Sequence, residues 1–163
     1  MSRRKLIPYK RKAEGRTNYR KRLNLLKSGK PRLVIRRSLK NVTVQLVDYS
    51  RGGDKVLVSA HSRELLKLGW KRYRKNVPAA YLTGLLCGMK AKGKVKEAVL
   101  DSGLYESTKG SLVYAALKGT VDAGLKVPHG EGLLPDEKRL KGEHIKATEE
   151  FDKVKAKILG GSK

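Results

Sequence analysis

The chain has 163 residues, with 39 Lys and Arg against 15 Asp and Glu, a net charge of +24 and only 6% aromatic residues. Its length suits a single core plus tails. Self-repulsion at that charge opposes a compact state unless a polyanion supplies counter-charge, which argues against a small-molecule enzyme with a neutral surface. The longest mostly apolar stretch, Val77 to Met89, is interrupted by Pro78, Thr83, Gly84 and Gly88 and is too short to span a bilayer. The N-terminus is basic without the apolar core of a signal peptide, and the lone Cys87 has no partner for an internal disulfide. A soluble, intracellular chain is expected.

The charge is unevenly placed. Residues Met1 to Lys75 hold 24 Lys and Arg and 4 Asp and Glu, and Arg139 is the one arginine beyond them. Arginine meets phosphate with a planar fork and stacks on bases, so the polyanion-facing surface belongs to the N-terminal half. Residues 1–16 form a basic arm, with Arg3, Arg4, Lys5, Lys10, Arg11, Lys12 and Arg16 against Glu14 alone. Its apolar residues are too few to bury it. Tyr9 within it, and Tyr19 beyond it, are candidates for stacking on a base or sugar.

A core is expected over 17–130. Thr17 reads as the N-cap of a helix closing at Gly29, with Tyr19, Leu23 and Leu26 on one stripe and Arg20, Lys21, Arg22 and Lys27 around it. Arg32–Arg37 and Val42–Tyr49 are β-branched runs joined by Ser38-Leu39-Lys40-Asn41, and a third strand, Val56–Ala60, follows the turn at Gly52-Gly53. In the second run Val42, Val44 and Leu46 alternate with Thr43, Gln45 and Val47, leaving one face wet. Together these make an antiparallel three-strand meander.

Helix and strand then alternate. Ser62 caps a short helix ending at Gly69, and Lys71–Lys75, with Lys71 and Arg72, is a basic connector. Asn76 and Pro78 open a longer helix to about Lys92, whose Leu82, Leu85, Leu86 and Met89 face the core. Glu97–Asp101 is a short buried strand, Ser111 caps a helix ended by Gly124, and Leu125–Val127 is a short last strand. Residues 131–163 read as a helical tail broken at Gly142, with Phe151, Val154 and Ile158 on one side. The fold class expected is α/β, a mixed sheet with helices on its faces.

Catalytic and metal chemistry find little support. His61, His129 and His144 lack ligand spacing, and Cys87 sits beside a core-facing stripe as a small hydrophobe. Asp48 and Asp101 fall at strand ends, where a nuclease holds carboxylates, yet Glu64 is the only obvious third candidate and sits at a helix start. Asp101 reads more simply as a turn or cap residue before Ser102-Gly103. An anionic membrane surface as partner is disfavoured, because no strongly amphipathic basic helix carries bulky apolar anchors.

The strings Pro31-Arg32-Leu33-Val34-Ile35-Arg36-Arg37-Ser38, Gln45-Leu46-Val47 and Ser59-Ala60-His61-Ser62 resemble the family of universal large-subunit ribosomal protein number eighteen. Asn76-Val77-Pro78-Ala79-Ala80-Tyr81-Leu82-Thr83-Gly84, Glu97-Ala98-Val99-Leu100-Asp101, Val127-Pro128-His129 and Arg139-Leu140-Lys141-Gly142 are similar to its archaeal and eukaryotic branch, with the archaeal form nearer in length. The resemblance implies a ribonuclease-H-like sheet without that enzyme's active site, and a structural, non-enzymatic role on the cytoplasmic ribosome. It further implies binding of 5S ribosomal RNA and its anchoring in the central protuberance. Partners would be 5S and 23S-type ribosomal RNA, large-subunit protein number five and other central-protuberance proteins. No cofactor, metal, membrane or small-molecule substrate is implied.

Carried onto this chain, the RNA-contacting residues are Arg3, Arg4, Lys5, Tyr9, Lys10, Arg11, Lys12, Arg16, Thr17, Tyr19, Arg20 and Arg22 of the arm and first helix. Arg36, Arg37, Ser38, Lys40 and Gln45 of the first hairpin and Gly110 and Ser111 of a later loop complete the carried set, and Arg32 with Lys71 and Arg72 of the connector join the candidate RNA contacts as further cations. The family usually has Ser-Asn-x-His at this hairpin, whereas this chain has Ser38-Leu39-Lys40-Asn41, so no contact is carried onto Leu39 or Asn41. A general nucleic-acid-binding protein with no fixed RNA partner is the alternative.

Overall fold

The computed structural model describes residues 7–130 and 132–160. Strands β1 (Arg32–Arg37), β2 (Val42–Ser50) and β3 (Gly53–His61) form the antiparallel meander, and β4 (Val99–Asp101) joins β1 in parallel, giving the order β3-β2-β1-β4. The meander's strands run slightly longer than the β-branched runs, because turn residues such as Gly53 and Asp54 still pair with Ser50 and Tyr49. The expected strand at Glu97 shrinks to Val99–Asp101, and the one at Leu125–Val127 to a single bridge between Glu97 and Lys126.

Alternation along β1 and β2 divides the sheet into two unlike faces. Leu33, Ile35, Val42, Val44 and Leu46 point inward and are fully buried. Helices α3 (Val77–Ala91) and α4 (Leu112–Asp122) cover that face. Asn76 caps α3 by accepting from Ala79 N–H at 2.9 Å, as its sequence predicts. Ser62 is not the cap of the next short element, a 3₁₀ turn over Ser62–Leu66. His61 accepts from Arg63 N–H, Glu64 closes the capping box, and the Ser62 hydroxyl instead accepts from Val42 N–H.

Two glycines set how closely α3 and α4 approach. A Cβ on Gly84 would sit 2.0 Å from the Ala116 carbonyl oxygen, and one on Gly119 would sit 2.1 Å from that of Tyr81. Neither backbone can yield without parting the helices. Gly119→Ala is therefore expected to lower stability by about 1–3 kcal/mol or more, despite alanine's better helix propensity. A urea midpoint that rises instead would contradict this close crossing.

The C-terminal segment does not hang free. Helices α5 (Glu137–Lys141) and α6 (Thr148–Gly160) pack on α3, and Leu140, Phe151, Val154 and Ile158 enter the same core as the sheet residues. Phe151 lies against Tyr81 with ring centroids 5.5 Å apart. Near the N-terminus, α1 (Lys10–Ala13) and α2 (Tyr19–Leu26) precede β1, and neither buries a residue. Helices α3 to α6 thus lie on one side of the sheet. Among the described residues, the other side is met by the charged N-terminal segment and by the loop after β4 that holds Gly103, Leu104 and Tyr105.

Candidate nucleic-acid interface

The sheet's open face carries Arg32, Val34 and Arg36 from β1, beside Thr43, Gln45 and Val47 from β2. Helix α2 lies at the rim of this face, tied down by long charged side chains. Arg22 donates to both carboxylate oxygens of Asp54 at 2.9 Å, and Lys21 Nζ donates to the Gly103 carbonyl at 3.1 Å. Asn18, not Thr17, caps α2, because its Oδ1 accepts from Lys21 N–H at 3.0 Å. The Thr17 hydroxyl instead accepts from Arg11 Nε at 3.0 Å and ties α1 to the start of α2.

Three arginines share two aspartates at the centre. Asp101, at the end of β4, accepts from Arg32 Nη1 at 3.0 Å, Arg36 Nη2 at 2.9 Å and Gly103 N–H at 2.8 Å. Asp54 accepts from Arg32 Nη2 at 2.7 Å in addition to Arg22. Burial would raise both carboxyls, but the hydrogen bonds of Arg32 and Arg22 at Asp54, and of Arg36 and Gly103 at Asp101, outweigh it and hold both below the ordinary value of 3.8. Arg32, expected among the RNA contacts, has a side chain only 4% exposed and clamped between the two carboxylates. It is a brace for Arg22 and Arg36. Asp101 likewise is committed to ion pairs, and Glu64 to Lys90 and the His61 N–H, so these two acids serve structure.

The rest of the expected surface falls into groups. Arg11, Arg16, Thr17, Arg22, Arg32, Arg36 and Gln45 line one cleft of about 470 Å³ between α2 and the sheet. Tyr9 and Tyr19 sit outside it as a tilted ring pair with centroids 5.3 Å apart, and Lys10, Lys12 and Arg20 are exposed around them. Arg3, Arg4 and Lys5 lie outside the described residues. At the first hairpin the Arg37 guanidinium stacks 4.6 Å above the Tyr105 ring, and the Ser38 hydroxyl accepts from Asn41 N–H to close the turn. Leu39, 85% exposed, and Lys40 form the tip. Asn41 holds the hairpin's base, accepting from Arg74 Nε at 2.8 Å, while the Tyr73 hydroxyl donates to the Leu39 carbonyl.

Other residues stand apart from the cleft. Arg72 turns toward the C-terminal segment, 3.5 Å from Glu150, while Lys71 is exposed. Gly110 and Ser111 lie at the N-terminus of α4, where Gly110 N–H donates to the Leu133 carbonyl. Neither lines the cleft. Asp54 and Tyr105 escaped sequence reasoning. For Asp54 there was a signal, since it is one of only 4 acids among the first 75 residues. Cys87 is buried, and burial pushes its thiol up to about 12, so it carries no thiolate at neutral pH. Among the described residues, no three His, Cys, Asp or Glu side chains gather where a metal ion could be held, and no helix is long and apolar enough to cross a membrane.

A family model described as ribosomal large subunit proteins 60S L5 and 50S L18 matches residues 3–98 and 90–130. A large ribosomal subunit protein uL18 from Methanococcus maripaludis is 59% identical over 141 residues, covering 86% of this chain and 73% of its own length.

Proposed function

The chain belongs to the family of ribosomal large subunit proteins 60S L5 and 50S L18 and is a structural, non-catalytic constituent of the large ribosomal subunit, and we propose that within it the chain grips 5S ribosomal RNA and anchors it in the central protuberance. The observation that supports this reading best is the sheet face left open by α3 to α6 and bordered by the cations of α1, α2 and the β1–β2 hairpin. Lys and Arg there neutralise phosphates and release counterions. The exposed Tyr9 and Tyr19 suit stacking on unpaired bases. The arm, the first helix and the hairpin form the RNA-binding surface, with Lys71, Gly110 and Ser111 as outlying contacts. Large-subunit protein number five and 23S-type RNA are the neighbours this reading assigns to the same assembly.

Filter binding with labelled 5S RNA tests it. Unlabelled 5S RNA is expected to compete at least tenfold more effectively than duplex DNA of equal length at moderate salt. Equal competition would favour a general nucleic-acid-binding protein and overturn the assignment to 5S RNA.

A further inference from the structure

We propose that the cleft between α2 and the open sheet face is a pocket for one unpaired nucleotide, an inference that rests on the RNA-binding reading above and specifies what part of the RNA this cleft takes. The cleft measures about 470 Å³, within the 300–1,000 Å³ typical of small-ligand sites. Its roof is Lys21, Arg22 and Leu25 of α2, and its floor is the outward row of the meander. Val47 pairs across the strands with both Arg32 and Val56, and Val34 lies on the same face two residues from Arg32. The floor is therefore an apolar strip of Val34, Val47 and Val56 with a guanidinium at one end.

Charge and shape select for the same ligand. Six cationic side chains and two carboxylates line the cleft, and the carboxylates are already satisfied by Arg22, Arg32 and Arg36. An apolar floor beneath a cationic rim fits a group with a flat, weakly polar face and an anionic end. That is a nucleotide, its base on the valines and its phosphate toward Arg11, Arg16 or Lys21. A base inside a helix keeps both faces stacked and its pairing edge occupied, so only a splayed-out nucleotide offers its face to such a floor.

Arg32 fixes this floor from below. Both of its Nη atoms are bound to aspartate, the side chain is 4% exposed, and its Nε is sealed from solvent without a hydrogen-bond partner among the described residues. Held in this way, Arg32 sets the positions of Arg22 and Arg36 at the rim through the carboxylates they share.

Two substitutions at one position test the pocket. Val56 is 49% exposed on an edge strand, so larger side chains there leave the core intact, as circular dichroism and a thermal melt would verify. Val56→Glu and Val56→Lys both fill the floor but change the charge in opposite directions. The full chain is titrated with a ten-nucleotide oligoadenylate, a fully paired hairpin RNA and 5S RNA. A pocket predicts that both variants weaken oligoadenylate and 5S RNA binding at least fivefold. On the paired hairpin, the two should shift affinity slightly and in opposite senses. Opposite shifts on all three RNAs, or no loss with the Lys variant, would overturn the pocket and leave only a diffuse charged surface. If wild-type protein shows no preference for 5S RNA over duplex DNA, the reading of the preceding subsection fails, and the oligoadenylate arm still decides the pocket.

Discussion

Replacing Asp101 by alanine is expected to destabilise the protein by about 3–5 kcal/mol, because it strips a buried cation of its partner. Arg32 has no route to solvent, and its other carboxylate, Asp54, is shared with Arg22. The loss also frees Arg36 Nη2 and the Gly103 N–H from the turn that positions Tyr105 beside Arg37. Asp101→Asn keeps the shape and one acceptor, so it should fall between wild type and alanine. Removing the exposed Glu14 from its pair with Arg16, which is 67% exposed, should cost less than about 1 kcal/mol. Urea denaturation of the four proteins provides the comparison.

The same aspartates give this stability a pH signature. Both have their carboxyls held below 3.8 in the fold. A group depressed in this way contributes stability that is fully present above its unfolded value and disappears as pH falls through the lowered one. The gap between wild type and Asp101→Asn should therefore be steady near neutrality and close in strong acid. A gap that did not narrow at all as pH is taken below the ordinary value of 3.8 would contradict the ion-pair origin.

Deleting residues 1–16 is expected to have the largest effect on RNA affinity. It removes Arg3, Arg4, Lys5, Lys10, Arg11, Lys12 and Arg16 with only Glu14 as offset. It takes no buried residue from the core among those described, so the shortened chain should keep its urea midpoint within about 0.5 kcal/mol in stability. Each phosphate contact contributes about 0.7–0.9 to the slope of log affinity against log salt. Loss of four such contacts would lower that slope by about 3 and weaken binding on the order of a hundredfold or more near physiological salt. An unchanged slope in filter binding would remove the arm from the interface.

Much of this architecture is written plainly in the residues. The period-two alternation of Val42 to Val47 gave both the wet face and the dry one, and Asn76-Val77-Pro78 marked the start of α3 to the residue. Capping misled at two places because neighbouring side chains competed for one role. Asn18 outdid Thr17, whose hydroxyl is taken by Arg11, and His61 outdid Ser62, whose hydroxyl faces Val42. The site was half legible. Charge counting found the cations, but not which of them are spent on each other. Arg32 and Asp101 are 69 residues apart and meet only because β4 lies parallel to β1, a long-range pairing that no local pattern encodes. Likewise nothing in a short apolar alternation says that every later helix will choose the same face of the sheet.

The most direct test of the central claim is to isolate large ribosomal subunits, strip them with chelator and salt until the 5S RNA leaves, and ask where this chain goes. It is expected to depart with 5S RNA in near-equal amounts. Finding the chain still on the 23S-type RNA after the 5S RNA has gone, or spread over all RNAs alike, would contradict it.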